Sequence, residues 1–202
     1  MNPLKSIWGT IISGIVLSLL IVWALPSEGA VNPVEWTIWF HVVVGIIWIG
    51  LLYYFNFVQV PAQAAATADT QGPGPAAIGK YIAPPALAWF RWAAVLTWLS
   101  GAAALWKLGI LHTAFSFDNF QFSTGASVIG VGAWLGTIML FNVWVLIWPN
   151  QKKILGMTQA SDAEKAKARV VALMASRTNT LLSIPMLLAM TASPFHNGGL
   201  PF

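Results

Sequence analysis

What most limits the fold of this sequence is a series of long apolar stretches, at about 7–25, 36–58, 85–107, 127–148 and 169–192. Each is long enough to cross ~30 Å of hydrocarbon as an α-helix rising about 1.5 Å per residue. Charged residues make up 8% of the 202-residue chain and hydrophobic ones 57%, with a mean hydropathy of +0.72. A soluble domain carries roughly a quarter of its residues charged, so this chain lacks the material for a water-facing surface. The expected fold is therefore an all-α integral membrane protein, a single domain over 1–202 built as a bundle of about five transmembrane helices in contact with the lipid bilayer. The first apolar run follows Lys5 in the manner of a signal peptide. It runs on into Pro26-Ser27-Glu28 without a small-x-small cleavage site, and reads as a retained helix.

Proline and tryptophan punctuate the same pattern. Pro26, Pro33, the Pro61 to Pro85 stretch and Pro149 fall where the apolar runs fail. Trp8, Trp23, Trp36, Trp39, Trp89, Trp92, Trp106 and Trp148 lie near predicted span ends, where an indole ring rests at headgroup level. With five spans, Lys5, Lys80, Lys152, Lys153, Lys165, Lys167 and Arg169 share one side, opposite Lys107 with Glu28, Glu35 and Asp118. Because positive loops stay in the cytoplasm, the N-terminus is expected inside and the C-terminus in the periplasm of a bacterial inner membrane, as a multi-pass protein. Ser161, with Glu164 three positions on, predicts a helix N-cap that extends the fifth helix into the cytoplasm over about 161–168. The 59–84 segment, rich in Ala, Gly and Pro, is expected to be a surface loop.

Several function classes drop out. With no cysteine there is no iron–sulfur cluster, no disulfide and no covalent c-type haem. The formal charge of +4 and pI near 9.6 come from dispersed basic residues at span ends, which argues against nucleic acid as a partner. No Asp or Glu lies in the middle of a span, no Gly-rich phosphate loop is present, and no serine has a His and acid partner in one site. Pump-type relays, kinases and ordinary hydrolases are poor expectations.

Two polar groupings remain. His41, His112 and His196 fall at or near the outer ends of spans two, three and five, and are the candidate metal ligands. His41 alone lies within the hydrophobic region, on one helical stripe with Gly45, Trp48 and Leu52, which suits a b-type haem ligand with Trp48 beside it. An intramembrane His that bonds a neighbouring helix is the ordinary alternative. At the inner face, Asn56, Gln59, Arg91, Asn142, Asn150, Arg177 and Asn179 gather near the boundary. Arg91 and Arg177, with Asn142 and Asn179, could clamp an anionic substrate or a haem propionate, since a guanidinium offers a bidentate fork. Snorkelling to lipid phosphates and amide bonds between helices are the plainer reading.

The runs His41 to Gln59, Trp89 to Gly101, Phe141 to Lys153 (Phe-Asn-Val-Trp-Val-Leu-Ile-Trp-Pro-Asn-Gln-Lys-Lys) and Ala175 to Met186 together resemble one family. It is the membrane-spanning N-terminal domain of the bacterial cytochrome-c-linked urate hydroxylases, the urate oxidase N-terminal domain family. The resemblance implies an inner-membrane oxidoreductase that oxidises urate and delivers electrons to a cytochrome c. Those enzymes carry a C-terminal c-type cytochrome, whereas this sequence has no Cys. Electrons are then expected to leave through a separate cytochrome or another membrane redox subunit. The competing expectation is a non-catalytic subunit that associates with itself or a larger complex through small residues such as Gly130, Gly132 and Gly136.

Overall fold

The computed structural model describes residues 2–25, 32–116 and 125–192, and among these every regular element is helical. The chain divides into two compact units, Met1–Pro33 and Val34–Phe202. The first holds α1 (Ile7–Ala24), capped by Ser6, whose hydroxyl accepts the Gly9 N–H at 3.0 Å. No residue of α1 is buried, and its Ile, Leu, Val and Trp side chains are exposed all round the helix. Such a surface is consistent with contact to lipid hydrocarbon.

The second unit contains α2 (Pro33–Tyr54), α3 (Val60–Ala68), α4 (Ala83–Lys107), α5 (Leu111–Phe115), α6 (Gly125–Phe141), α7 (Trp148–Ile154) and α8 (Asp162–Thr191). Helices α2 and α4 run antiparallel. Thr37 and His41 of early α2 meet Lys107 and Thr97 of late α4, while Phe55 just after α2 stacks edge-on to Phe90 of early α4 at 5.4 Å. The core between the helices is closed by Trp48, Leu52, Phe90, Met139 and Val143. Gly109 and Gly156, both at positive φ, stop α4 and α7. From each glycine on, the chain returns N–H groups to carbonyls of the last turn, two at α4 and three at α7, which permits tight exits toward α5 and α8.

Four helical stretches are long and apolar enough to cross a membrane: Ile7–Ala24, Pro33–Ala68, Ala126–Ile154 and Asp162–Thr191. The five expected spans differ from this set at one point. At 25 residues α4 has the length but not the apolarity, because it carries Arg91, Lys107, Pro84 and Pro85. Its buried face is made largely of Ala, Thr and Ser, which let neighbouring backbones approach closely without adding hydropathy.

The expected loop at 59–84 is largely helical. Residues Phe55–Gln59 form a π-helical segment that joins α2 to α3, giving one 36-residue helix about 54 Å long at ~1.5 Å per residue. A second π segment, Ile78–Ile82, leads into α4, and a third, Asn142–Ile147, joins α6 to α7. Each lies just ahead of proline: Pro61, Pro84 with Pro85, and Pro149. A proline cannot donate to the carbonyl four residues back, and its ring collides with that carbonyl. Widening the preceding turn to i→i+5 pairing lets the helix pass through the proline. At these three places proline disturbs the helix without breaking it.

Candidate functional site

His41 sits on α2 facing α4. Its Nδ1 lies 2.8 Å from the Thr97 carbonyl and 3.3 Å from the Ser100 hydroxyl, which itself donates to the Leu96 carbonyl at 2.6 Å. A carbonyl only accepts, so Nδ1 carries the proton, and in the neutral ring the lone pair is on Nε2. Among the described residues Nε2 has no hydrogen-bond partner. The ring lies directly against Gly101, where a Cβ would stand 2.8 Å from Cε1. Only glycine admits the imidazole there. Thr97 also touches Gly45, whose absent Cβ would lie 3.7 Å from the threonine methyl. Two turns along α2, Trp48 is 2% exposed and part of the packed core, with its indole N–H buried and unpartnered.

The inner polar grouping is a layer between α2, α6 and α8. Asn142, which opens the third π segment, donates to Asn179 Oδ1 at 2.8 Å, and Asn179 Nδ2 donates to the Met139 carbonyl at 2.9 Å. Asn179 is completely buried. Asn56 donates to Ser176 Oγ and to the Leu52 carbonyl. Tyr53 donates to Ser183 Oγ at 2.9 Å, because the serine proton is already directed at the Thr180 carbonyl. The oxygens Asn56 Oδ1 and Gln59 Oε1 are buried and unpartnered.

The arginines do not join this layer. Arg177 is exposed, two positions before Asn179 and so about 200° round α8 from it. Arg91 is half-buried and lies with its guanidinium 3.9 Å from the centre of the Trp148 ring. His112 is exposed on α5, and His196 falls outside the described residues. Among the described residues no three His, Cys, Asp or Glu side chains come together as a metal site.

The sequence reading missed Thr97, Ser100 and Gly101 as the seat of His41, and Tyr53 with Ser183. Gly101 carried a usable signal, since it lies at the position in α4 that antiparallel pairing sets opposite His41. The Thr97 contribution is a backbone carbonyl, for which a sequence has no signal.

Residues 103–197 match the family model described as urate oxidase N-terminal. That stretch, a little under half of the chain, is similar to that family. The matched stretch holds Asn142, Ser176, Arg177, Asn179 and Ser183 of the inner layer and its flank, together with Trp148 and Lys152. His41, Trp48 and Arg91 precede it. Neither the curated proteins nor the solved structures contain a match.

Proposed function

We propose that this chain is a membrane-embedded redox protein of the bacterial inner membrane that holds a b-type haem on His41 and passes electrons to a separate cytochrome or membrane redox subunit. The observation that carries this reading is the seating of His41: Nδ1 is fixed by the Thr97 carbonyl and the opposite nitrogen is left without a partner. A metal-binding imidazole is oriented in this way, by a hydrogen bond from its other nitrogen to a carbonyl or carboxylate. A bound haem would supply one-electron transfer. Thr97 and Ser100 hold the ring, Gly101 admits it, and Trp48 seals the helix interface two turns below.

The likeness of residues 103–197 to that family supports oxidation of urate or a related purine oxide as the source of electrons. In this reading Asn142 and Asn179 fix α8 to the widened part of α6, and the unpartnered oxygens of Asn56 and Gln59 are the groups open to substrate N–H donors. The exposed Arg177 is left to the lipid or aqueous boundary. In this reading helix α4 is the fifth crossing, with Thr97 and Ser100 buried in the bundle, and the positive residues keep the N-terminus in the cytoplasm with the C-terminus in the periplasm.

The test is purification in mild detergent with elemental analysis and an absorption spectrum. Iron near one equivalent with a Soret band supports the reading. Colourless, iron-free protein from haem-replete cells overturns it. A second reading, a non-catalytic assembly subunit, draws on Gly50 and Gly136, each facing open space where a Cβ would stand. A stable, stoichiometric, colourless oligomer by native mass would favour it.

A further inference from the structure

Two cations converge on one indole at the basic end of the second unit. The Arg91 guanidinium of α4 lies 3.9 Å from the Trp148 ring centre, and Lys152 Nζ, one turn along α7, lies 5.9 Å from the same centre. Both side chains are half-buried, and among the described residues neither makes an ion pair or a hydrogen bond to protein. The adjacent Lys153 differs, because the Glu164 carboxylate lies within its field. Stacking uses the face of the guanidinium and leaves its in-plane N–H fork open. Two like charges beside a low-dielectric surface repel unless an anion lies between them.

We infer that Arg91, Trp148 and Lys152 form a binding site for a phosphate-type oxyanion, the headgroup phosphate of an anionic lipid being the occupant the surroundings favour. Trp148 stands where the apolar run of α6 gives way to Pro149 and the lysines, the height at which indoles and basic side chains meet lipid headgroups. The guanidinium fork takes two phosphate oxygens, Lys152 supplies a point charge, and the indole holds the guanidinium flat beneath them. The site is independent of the haem proposal, shares no residue with the His41 seat, and ties α4 to α7 through a ligand.

The test uses the full chain in mixed micelles with phosphatidylglycerol or phosphatidylcholine, read by native mass spectrometry, with inorganic phosphate as a competitor. Wild type is expected to retain phosphatidylglycerol about tenfold or more over phosphatidylcholine. Lys152→Gln, at a half-exposed position that tolerates change, should cut retention about fivefold, and Arg91→Gln with Lys152→Gln should abolish the preference. Arg91→Lys, which keeps the charge and loses the fork, should fall between. Displacement of the lipid by inorganic phosphate identifies the phosphate as the recognised group. Retention of phosphate without any lipid preference assigns the site to a free anion. Equal retention of both lipids together with no phosphate binding, or unchanged preference in the folded double variant, overturns the inference.

Discussion

His41, half-buried, and Asn179, completely buried, are both polar side chains on apolar helices, and they are handled in opposite ways. Asn179 is closed on both sides, accepting from Asn142 and donating to the Met139 carbonyl. His41 is held on one side only, by Thr97. A buried group whose bonds are all satisfied within the fold serves as glue between helices. A metal-binding imidazole is oriented by a first bond and left open at its second nitrogen, which is the arrangement the proposed function uses at His41. Under that proposal the contrast separates a part of the bundle that holds the helices from a part that takes the haem.

The contrast can be broken most sharply at Gly101. Gly101→Val places a branched side chain where even a single Cβ lies 2.8 Å from the imidazole, so the ring must leave the Thr97 carbonyl. Loss of most of the pigment is expected, with a stability cost of about 1–3 kcal/mol. An unchanged spectrum would detach His41 from the site. Asn179→Ala should behave the other way round. It leaves the Asn142 amide and the Met139 carbonyl without partners and costs about 1–2 kcal/mol, by thermal or denaturant titration in micelles, while the spectrum of the folded fraction stays the same. Tyr53→Phe removes one hydrogen bond to Ser183 and is expected to cost about 0.6 kcal/mol, again with no spectral change.

The smallest effect lies at the start of α8. A helix of 30 residues is about 45 Å long, more than a hydrocarbon core requires, and in the proposed topology its first turns lie outside the bilayer. There Ser161 and Glu164 form a reciprocal cap, and the Ser161 N–H and hydroxyl hold the Glu164 carboxyl below its ordinary value. A depressed folded-state pKa means that the cap contributes above the unfolded-state value and weakens as pH falls through the folded one. Protection of the 164–166 amides, measured as exchange relative to the intrinsic rate at each pH, should therefore fall in acid, below the ordinary glutamate range. In Ser161→Ala the protection should already be low at neutral pH and lose that acid dependence.

Much of this architecture was legible as apolar length. Helices α1, α2, α6 and α8 follow directly from apolar runs long enough to cross a bilayer, and the cap at Ser161 follows from residue type and spacing. Helix α4 was harder, because a helix buried among others can be built from Ala, Ser and Thr and lose the hydropathy that marks a span. The helix through Pro61 was not legible at all, since widening to a π turn leaves no compositional trace beyond the proline itself. The grouping of Arg177 with Asn179 came from their similar height along the helix and neglected its rotation. At about 100° per residue, positions two apart face opposite ways. Asn142 and Asn179 meet because both stand at matching heights on inward faces of adjacent helices. The seat of His41 depended on a main-chain carbonyl, which every residue possesses.

The most direct test of the difference between an open and a closed polar group is a reduced-minus-oxidised absorption spectrum of purified wild type, His41→Ala and Asn179→Ala, prepared side by side from haem-replete cells. The proposed function predicts a b-type difference band in wild type and in folded Asn179→Ala, and none in His41→Ala. A band of full size in His41→Ala, or none in wild type, would contradict it.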